Sequence, residues 1–436
     1  MTIVNNSAPI VLPPIPALSG TLQLPGSKSI SNRLLLLAAL ADGTTRIEGL
    51  LKADDTAVML TALEQLGVPI TETSDAIEVH GRGAPFAEPR DRLTLQLGLA
   101  GTAFRSLTAA LTLGHGCFDL DGVARMRERP IGDLVAALTP LGAKIEYRSS
   151  DGYPPLTIRA QGLRGGTTSI RGNVSSQFLT ALLLTAPYAE NPVSIAVEGE
   201  LISKPYVQIT LQLMRAFGVE IRHDDYQNFD VPCQRYRSPG HWRVEGDASS
   251  ASYFLAAGAI AGPGLTIDGL GSEALQGDVA FADVLSAMGA RVDVGAAEIR
   301  VRPPADGQLR AFDLDLNHIP DAAMTAAVLA LFADGPSTLR NIGSWRVKET
   351  DRLHAMATEL RKVGARVEEF DDALQVQPPA TLNTNSIATY GDHRMAMCFS
   401  LIALAGIPIT IEDPACVGKT FPTFFETFTA LSRRNL

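Results

Sequence analysis

The chain lacks several features that define large classes of proteins. Its four cysteines, Cys117, Cys233, Cys398 and Cys416, are too far apart for a CxxC motif and too few for a disulfide scaffold in 436 residues. No apolar run approaches the roughly 20 residues that a membrane span requires. The first 20 residues contain no Lys or Arg, unlike a signal or transit peptide. We expect a protein of the reducing cytoplasm with no membrane partner.

An excess of positive charge is also missing. The chain has 37 Lys and Arg against 47 Asp and Glu, which gives a formal net charge of -10. Because a nucleic-acid partner calls for a basic face, we expect none. There is no paired His at zinc spacing and no GxSxG motif, and Gly418-Lys419-Thr420 is not a phosphate loop because Asp413 occupies the position of its first Gly. We expect no metal and no cofactor.

Polar clusters at the start of apolar helix patterns recur along the chain. Each follows a short strand-like run, and they are marked by Ser29, Thr102, Ser176, Ser249, Asp321 and Asp392. The spacings between successive markers are 73, 74, 73, 72 and 71 residues. Spacing this even indicates six copies of one structural unit.

A glycine closes the second helix pattern of five copies. These glycines are Gly67, Gly142, Gly218, Gly289 and Gly364. A Gly at this place is typical of a helix C-cap with φ > 0, and the β-branched residues that follow restart a strand. Each copy is therefore predicted to be a βαβαββ unit. The first helices, such as residues 33–41, are apolar nearly all round and should be buried.

Six such units exceed a usual single core, and three plus three is the natural division. We predict an α/β fold, a two-domain inside-out α/β barrel with buried helices inside a layer of strands and outer helices. The first domain is predicted over residues 27–243. The second takes residues 1–26 and 244–436 and is completed by an N-terminal strand around Thr21-Leu24. We expect the active site in the cleft between the domains.

Positive side chains at the helix starts are the strongest functional signal. A helix N-terminus already carries unpaired N-H groups and the positive end of the dipole, so a cation there is unfavourable unless an anion lies nearby. Surface ion pairs explain any single one of them equally well. Their recurrence in several copies favours a pocket for small, highly charged anions. The cations are Lys28, Arg33, Arg105 and Arg394 at first helices, and Arg125, Arg127, Arg129, Lys204, Arg346, Lys348, Arg352 and Lys419 at second helices.

Three carboxylates, Asp321, Glu349 and Asp392, lie among these cations in the sequence. A carboxylate beside Lys or Arg stays ionised and can act as a general base, while a dry site favours a general acid. Asp321 is also consistent with a helix N-cap, which does not exclude catalysis. Asp54 and Asp55, at the equivalent place in the first copy, are interpreted as caps.

Ten motifs together resemble the 3-phosphoshikimate 1-carboxyvinyltransferase family, also called the 5-enolpyruvylshikimate-3-phosphate synthases. The likeness runs from about residue 20 to the C-terminus, and that family's fold is two domains of three βαβαββ units each. The motifs are LPGSKSISNR (24–33), AGTAFR (100–105), RMRERPIG (125–132), VSSQFLTALL (174–183), ISKPY (202–206), EGDASSASYF (245–254), IPDAAMT (319–325), RVKETDR (346–352), DHRMAM (392–397) and KTFP (419–422).

The resemblance implies transfer of the enolpyruvyl group of phosphoenolpyruvate to the 5-hydroxyl of shikimate 3-phosphate, with release of phosphate. The reaction belongs to chorismate and aromatic amino acid biosynthesis. Both substrates carry a phosphate and a carboxylate, which explains the density of cations without a metal. We expect these two small molecules as partners and a monomeric protein.

The resemblance also assigns residues. Asp321 would take the proton of the 5-hydroxyl, and Glu349 or Lys28 would protonate C3 of phosphoenolpyruvate. Shikimate 3-phosphate would contact Lys28, Ser29, Arg33, Ser175, Ser176, Gln177, Ser203, Tyr206, Asp321, Ser344 and Lys348. Phosphoenolpyruvate would contact Lys28, Gly101, Arg129, Gln177, Arg352, Arg394 and Lys419.

Three positions depart from the family's common pattern. Leu99 replaces a frequent Asn, Ser106 a frequent Pro and Ser344 a frequent Asn. Loss of the amide at position 99 weakens a contact beside the phosphoenolpyruvate site, and loss of Pro relaxes the first turn of the helix. We therefore expect altered sensitivity to glyphosate, a family inhibitor that occupies the phosphoenolpyruvate site. Equal inhibition constants for the wild type and Ser106→Pro would contradict the part that concerns Ser106.

Two alternatives stay open. The related carboxyvinyltransferase that acts on UDP-N-acetylglucosamine shares the repeat architecture, but it typically has a Cys in the loop that corresponds to residues 125–132, which contain none. A non-catalytic anion-binding scaffold of repeats would not need Asp321 and Glu349 among its cations. An assay of phosphate release with both substrates present tests for that scaffold.

Overall fold

The computed structural model describes residues 8–433, which form twenty-three strands and twelve helices. The strands are β1 Ile10–Leu12, β2 Gly20–Gln23, β3 Asp42–Glu48, β4 Ile70–Glu72, β5 Ala76–Arg82, β6 Leu93–Gln96, β7 His115–Asp121, β8 Ile145–Tyr147, β9 Leu156–Gln161, β10 Gly166–Arg171, β11 Val193–Glu198, β12 Arg222–Asp224, β13 Asn228–Val231, β14 His241–Arg243, β15 Leu265–Asp268, β16 Arg291–Val294, β17 Glu298–Arg302, β18 Asp313–Asp315, β19 Ser337–Arg340, β20 Arg366–Glu369, β21 Leu374–Gln377, β22 Ser386–Ile387 and β23 Ile409–Ile411. The helices are α1 Lys28–Leu40, α2 Asp54–Gln65, α3 Gly101–Ala110, α4 Gly132–Leu138, α5 Ser176–Thr185, α6 Lys204–Ala216, α7 Ala248–Ile260, α8 Phe281–Ala287, α9 Ala323–Leu329, α10 Arg352–Lys362, α11 His393–Phe399 and α12 Phe424–Arg433.

Internal contacts divide the chain into two compact units. The first unit is Gly26–Val244, and the second comprises the chain up to Pro25 together with the chain from Glu245. The predicted domain boundaries lie one residue away from these positions. The first seven and the last three residues of the predicted second domain lie outside the described range.

All six sheets follow one plan. A parallel pair of strands comes first, and the remaining strands of the sheet are added antiparallel. The sheets of the first unit have the strand orders β14-β3-β5-β4, β6-β7-β9-β8 and β10-β11-β13-β12. Those of the second unit have the orders β16-β17-β15-β2, β18-β19-β21-β20 and β1-β23-β22.

Two strands next to the unit boundaries pair outside their own copy. Strand β2 precedes α1 in the sequence but pairs in parallel with β15, and β14 precedes α7 but pairs in parallel with β3. The N-terminal strand expected around Thr21-Leu24 is therefore β2, which completes the sheet of the fourth copy. The sheet of the sixth copy contains an additional strand, β1, which pairs with β23 and was not expected from the sequence.

The apolar first helices are buried, as their sequences predict. Every residue of α9 and α11 is buried, and Ser29 is the one residue of α1 that is not. The helices α9 and α11 are shorter than their apolar patterns because each continues as a 3-10 turn, Ala330–Phe332 and Ser400–Ala405. None of the helices within residues 8–433 is both long and apolar enough to cross a membrane.

The repeated glycines have the predicted backbone conformation. Each follows the end of a second helix and has a positive φ, from +79° at Gly67 to +107° at Gly142. A residue with a Cβ is disfavoured in this region, and Gly is not. The five glycines therefore mark equivalent helix ends, as the sequence pattern indicates.

Candidate active site

The six marker clusters lie at or within two residues of the starts of α1, α3, α5, α7, α9 and α11. Asp247 caps α7 by accepting a hydrogen bond of 2.7 Å from the amide of Ser250. The start of α7 is also occupied by protein groups, since the amide of Ala248 donates to Gln276 Oε1 at 3.1 Å and Ser249 Oγ donates to Asp278 at 3.1 Å. The fourth copy thus has a capped helix start whose polar groups bind one another.

The second set of cations is placed differently from the prediction. Lys204 and Arg352 do begin helices. Arg129, however, follows a 3-10 turn that precedes α4, and Lys419 is the last residue of a 3-10 turn that precedes α12. Their expected position at α-helix N-termini is therefore wrong. These turns have their own hydrogen bonds, and a motif match does not distinguish a 3-10 turn from the first turn of an α-helix.

A cluster of charged side chains lies in the second unit around Arg352, and we name it the carboxylate cluster. It consists of Asp321, Glu349, Arg352, Asp392 and Arg394. Arg352 Nε donates to Asp392 Oδ2 at 2.7 Å, while its Nη1 and Nη2 donate to Asp321 Oδ1 and Glu349 Oε2, both at 2.9 Å. Arg394 Nη2 donates to the other oxygen of Asp321 at 2.8 Å. Asp321 therefore lies between two guanidinium groups.

Two lysines border the carboxylate cluster. Lys348 Nζ lies 3.9 Å from Asp321 Oδ1, and Lys419 Nζ lies 4.0 Å from Glu349 Oε1. Burial acts to lower the pKa of the Arg352 guanidinium, but Asp392, Glu349 and Asp321 raise it by more, so the net change is upward. Arg352 thus keeps its charge and orients three carboxylates.

Asp321 does not cap a helix. The cap of α9 is Ala322, which has no side-chain hydrogen bond, so this alternative is wrong. The buried indole of Trp345 donates from Nε1 to the carbonyl of Pro320 at 2.7 Å and thereby fixes the residue before Asp321. Ser344, a predicted shikimate-phosphate contact, lies beside Trp345 in the 3-10 turn Gly343–Val347. Within residues 8–433, no group of three or more His, Cys, Asp or Glu side chains is placed to hold a metal ion.

Arg33 is the centre of the predicted shikimate-phosphate residues in the first unit. Its Nε donates to Thr210 Oγ1 at 2.8 Å, and its Nη2 donates to Thr180 Oγ1 at 3.3 Å and to the carbonyl of Tyr206 at 3.2 Å. Its Nη1 donates to the carbonyl of Ser29 at 2.8 Å. Burial lowers the pKa of Arg33 to about 10, with an opposing contribution from Tyr206. The guanidinium is therefore charged at neutral pH and held by neutral oxygens.

Gly101 begins α3 in contact with two guanidinium groups. A Cβ at this position would lie 2.6 Å from Arg105 Nη1 and 2.8 Å from Arg129 Nη1, closer than real Cβ atoms approach. Arg105 also lies over the ring of Phe178, 5.5 Å from its centroid. Only Gly allows the backbone to approach both cations, so this start of a helix is a concentrated positive site.

Lys28 lies at the start of α1 and is buried. Its Nζ is 3.9 Å from the buried carboxylate of Asp55. The interpretation of Asp54 and Asp55 as caps is wrong, because the cap of α2 is Ala53 and makes no side-chain hydrogen bond. Asp55 points to Lys28 instead and balances its charge.

Four further predicted contacts lie at the starts of α5 and α6. Ser175 caps α5 by accepting from the amide of Gln177 at 3.3 Å, and Ser176 is the first helical residue. Gln177 Oε1 is buried with no hydrogen-bond partner among the described residues, so it can accept one from a ligand. Ser203 precedes α6 in the left-handed region, with φ +55°. Non-glycine residues in that region are common at ligand sites.

The expectation that loss of a Pro at position 106 relaxes the first turn of its helix is wrong. Ser106 is the sixth residue of α3 and lies beyond its first turn, so loss of a Pro there does not relax the first turn. Its effect instead concerns the second turn, where a Pro lacks the amide N-H that the helix uses. Leu99 contributes its carbonyl oxygen, which accepts from Arg129 Nη1 at 3.5 Å.

Some cations of the second set belong to surface ion pairs. Arg125 pairs with Glu128 at 2.8 Å and Arg127 with Asp121 at 2.6 Å. Arg346 pairs with Asp351 and Glu369. For these three, the surface interpretation that the sequence left open is confirmed.

Sequence reasoning missed the residues that hold the charged groups in place. Thr180 and Thr210 bind Arg33, Asp55 lies beside Lys28, and Tyr253 accepts from Arg394 Nη1 at 3.2 Å. Burial raises the pKa of Tyr253, while Arg394 acts to lower it, so the phenol stays neutral. Each of these four side chains is a common residue within a helix pattern, and only its three-dimensional neighbours reveal its part in the site.

The chain is similar to known proteins over nearly its whole length. Residues 12–428 match the family model "EPSP synthase (3-phosphoshikimate 1-carboxyvinyltransferase)". The 3-phosphoshikimate 1-carboxyvinyltransferase of Sulfurovum sp. is 56% identical over 426 residues, and that of Paraburkholderia phytofirmans is 57% identical over 431 residues. Each alignment covers 97% of this chain and 99% of the relative.

Solved structures give the same result. The EPSP synthase of Acinetobacter baumannii has a TM-score of 0.79 and 26% identity, with 97% of each chain covered. The enolpyruvyl transferase NikO of Streptomyces tendae, at 20% identity and a TM-score of 0.75, covers 97% of each chain and bears on the fold alone. The predicted fold class, an inside-out α/β barrel of six βαβαββ repeats, is confirmed.

The motif resemblance, the family model and the relatives agree along nearly the whole chain. The repeats that position the carboxylate cluster and Arg33 all lie within the matched residues 12–428. The chain belongs to the EPSP synthase (3-phosphoshikimate 1-carboxyvinyltransferase) family.

Proposed function

We propose that the chain transfers the enolpyruvyl group of phosphoenolpyruvate to the 5-hydroxyl of shikimate 3-phosphate. The products are 5-enolpyruvylshikimate 3-phosphate, a precursor in chorismate and aromatic amino acid biosynthesis, and inorganic phosphate. Relatives at 56–57% identity over 97% of the chain support this activity. The observation that carries the chemistry is the carboxylate cluster, where Asp321 and Glu349 share Arg352 at 2.9 Å each.

The cations match the two substrates. Arg33, held by neutral oxygens beside Ser29 and Tyr206, suits an anionic group of shikimate 3-phosphate. Arg352 and Arg394 suit the carboxylate of phosphoenolpyruvate, because a guanidinium binds a carboxylate through two parallel hydrogen bonds. Arg129 and Lys419 suit its phosphate. Arg33 and Arg129 belong to the first unit, and Arg352, Arg394 and Lys419 belong to the second.

Asp321 takes the proton of the 5-hydroxyl as that oxygen attacks C2 of phosphoenolpyruvate. Lys348, Arg352 and Arg394 surround its carboxylate and favour the charged form that a base requires. The C2-O bond forms while C3 gains a proton and becomes a methyl group, giving a tetrahedral intermediate. Glu349 or Lys28 supplies that proton.

Phosphate leaves in the second half of the reaction. The C2-O bond to phosphate breaks, and the group that protonated C3 removes a C3 proton to restore the double bond. Negative charge develops on the departing phosphate, where cations such as Arg129 and Lys419 stabilise it. Side chains carry out all proton transfers and charge stabilisation in this mechanism, which uses no cofactor.

We also propose that a monomer is the active form, which sedimentation of the active protein tests.

Asp321→Asn tests the proposal. The amide nearly preserves the shape but does not accept the proton, so we expect turnover to fall by about 100- to 10,000-fold. The assay measures phosphate release with both substrates present. Asp313→Asn is the matched control, because Asp313 lies in an exposed pair with Arg340 in the same unit. Full turnover by Asp321→Asn and Asp321→Ala would remove Asp321 from the mechanism.

The same assay discriminates the alternatives. We expect phosphate release with shikimate 3-phosphate and none when UDP-N-acetylglucosamine replaces it. Phosphate release from phosphoenolpyruvate with UDP-N-acetylglucosamine as acceptor, and none with shikimate 3-phosphate, would support the related transferase. No release with either acceptor, combined with binding of both anions, would support a non-catalytic scaffold.

A further inference from the structure

A buried carboxylate outside the carboxylate cluster requires an explanation. Glu359 lies in the third turn of α10, the helix that Arg352 begins, and its side chain is fully buried. A buried charge is unfavourable unless it is paired and hydrogen-bonded. Glutamates in charged helices usually face solvent, so the position of Glu359 indicates a specific task.

Three donors satisfy the Glu359 carboxylate. Tyr390 Oη donates to Oε1 at 2.7 Å, and the amide of Ala388 donates to Oε2 at 3.2 Å. Lys362 Nζ, one helical turn further along α10, lies 2.8 Å from Oε2. Two of the three donors belong to the segment between β22 and α11. Glu359 therefore connects α10 to the segment that leads into α11.

The segment bound by Glu359 contains an unusual turn. Tyr390 and Gly391 both have left-handed backbone conformations, with φ +55° and +66°. Gly adopts this conformation readily, whereas a tyrosine does not and needs its surroundings to hold it there. Tyr390 is 43% exposed, and its hydroxyl donates a hydrogen bond to the buried Glu359 carboxylate.

The turn delivers two members of the carboxylate cluster. The amide of Asp392 donates to the carbonyl of Thr389 at 2.9 Å, and Asp392 in turn caps α11 by accepting from the amide of Arg394 at 2.9 Å. Asp392 also accepts from Arg352 Nε. A shift of the turn would therefore move Asp392 and Arg394 relative to Arg352.

We propose that Glu359 and Tyr390 are positioning residues for the phosphoenolpyruvate carboxylate. Their hydrogen bond holds the left-handed turn that sets Arg394 against Arg352, the two arginines assigned to that carboxylate. This inference rests on the proposed function. Neither residue belongs to the carboxylate cluster or to the proposed substrate contacts, so their effect passes through the geometry of the two guanidinium groups.

Tyr390→Phe tests the inference because it removes one hydroxyl from a partly exposed ring. Loss of a hydrogen bond to a buried carboxylate leaves that charge poorly satisfied, so we expect the KM for phosphoenolpyruvate to rise about tenfold. The KM for shikimate 3-phosphate should stay within about twofold, because most of its proposed contacts, including Arg33, lie in the first unit. Tyr153→Phe, at a tyrosine in the first unit that is 38% exposed, is the matched control and should change neither constant.

Glu359→Gln gives a second measurement. The side-chain amide of Gln has one oxygen, which can accept a hydrogen bond from the Tyr390 hydroxyl but not also the one from the Ala388 amide. We therefore expect the KM for phosphoenolpyruvate to rise and the KM for shikimate 3-phosphate to stay unchanged. If Glu359→Gln does not fold, Tyr390→Phe decides alone.

The outcomes separate the inference from the proposed function. A wild type that releases no phosphate from the two substrates contradicts the function itself. An active wild type whose Tyr390→Phe variant keeps its KM for phosphoenolpyruvate within about twofold overturns the inference. Equal rises in both KM values also overturn it, because they indicate a general structural role.

Discussion

Two buried arginines, one in each unit, have opposite surroundings. Arg352 is 1% exposed and donates to the carboxylates of Asp321, Glu349 and Asp392. Arg33 is 2% exposed, and its four hydrogen bonds go to two threonine hydroxyls and two backbone carbonyls. The residue type and the burial are the same, and only the partners differ.

The partners change the electrostatics of each site. Burial lowers the pKa of Arg33 to about 10, whereas three carboxylates outweigh the effect of burial at Arg352 and raise its pKa. Three carboxylates balance the charge of Arg352, so in addition to its proposed contact with phosphoenolpyruvate it holds the proposed base and acid in place. The charge of Arg33 meets neutral oxygens and is available to an anionic substrate. The comparison teaches that burial alone does not define the role of a cation.

Arg352→Met should give the largest effect. It leaves the buried carboxylates of Glu349 and Asp392, and the partly buried one of Asp321, without their shared partner. We therefore expect the free energy of unfolding to fall by about 3–5 kcal/mol. Turnover should also be lost. Urea unfolding with a second probe to check two-state behaviour measures the change. A fall of less than about 1 kcal/mol would show that the carboxylates do not depend on Arg352.

Arg33→Met should change the free energy of unfolding little and the affinity for shikimate 3-phosphate strongly. Thr180 and Thr210 lie 3.1 Å apart and Thr210 also donates to the Tyr206 carbonyl, so the hydroxyls keep partners. We expect the free energy of unfolding to change by less than about 1 kcal/mol. Affinity for shikimate 3-phosphate should fall by about 10- to 100-fold, measured by calorimetric titration. A fall in the free energy of unfolding as large as in Arg352→Met would contradict the proposed difference between the two arginines.

Thr210→Val sharpens the account of Arg33. The shape is nearly kept, but the acceptor of Arg33 Nε is lost, so the guanidinium is less well oriented. We expect the KM for shikimate 3-phosphate to rise about fivefold, with the KM for phosphoenolpyruvate unchanged. Thr210→Ser restores the hydroxyl and should restore the constant. A Ser variant as impaired as the Val variant would assign the effect to packing.

Asp313→Asn should give the smallest effect. Its hydrogen bond with exposed Arg340 holds the pKa of Asp313 below its ordinary value. The contribution of the pair to stability is therefore present above the ordinary pKa of Asp and is lost as the pH falls through the lowered one. Because exposed pairs contribute little, we expect the Tm at neutral pH to change by less than about 2 °C. A larger change in thermal unfolding would mean that exposed pairs cannot serve as controls for the buried ones.

The sequence predicted the repeats well because they depend on local signals. Glycines such as Gly67 and Gly142 mark helix ends, and polar clusters such as Gly246-Asp247 mark helix starts, independently of the rest of the fold. The sequence does not predict β1, because a strand of three residues at the edge of a sheet is too short to show an alternating pattern of apolar residues. The 3-10 turns before α4 and α12 match the pattern of helix starts, because that pattern does not distinguish a 3-10 turn from the first turn of an α-helix.

The site was predicted less completely because its geometry depends on distant residues. Asp55 looked like a helix cap, and only the folded chain shows it beside Lys28. Glu359 lies in a charged helix that suggests a solvent face, and only the structure shows it buried beneath Tyr390. Motifs identify the residues proposed to contact substrates, but the residues that hold those side chains in place carry no comparable signal.

A crystal structure with shikimate 3-phosphate bound tests the central claim most directly. The measured quantities are the distance from the Asp321 carboxylate to the 5-hydroxyl oxygen and the distance from the Arg33 guanidinium to the nearest anionic oxygen of the ligand. We expect both to be hydrogen bonds of about 3 Å. The assignment would be contradicted if both distances exceeded about 5 Å in the complex with shikimate 3-phosphate. Asp321 would then not be the base, and Arg33 would not be the cation that binds this substrate.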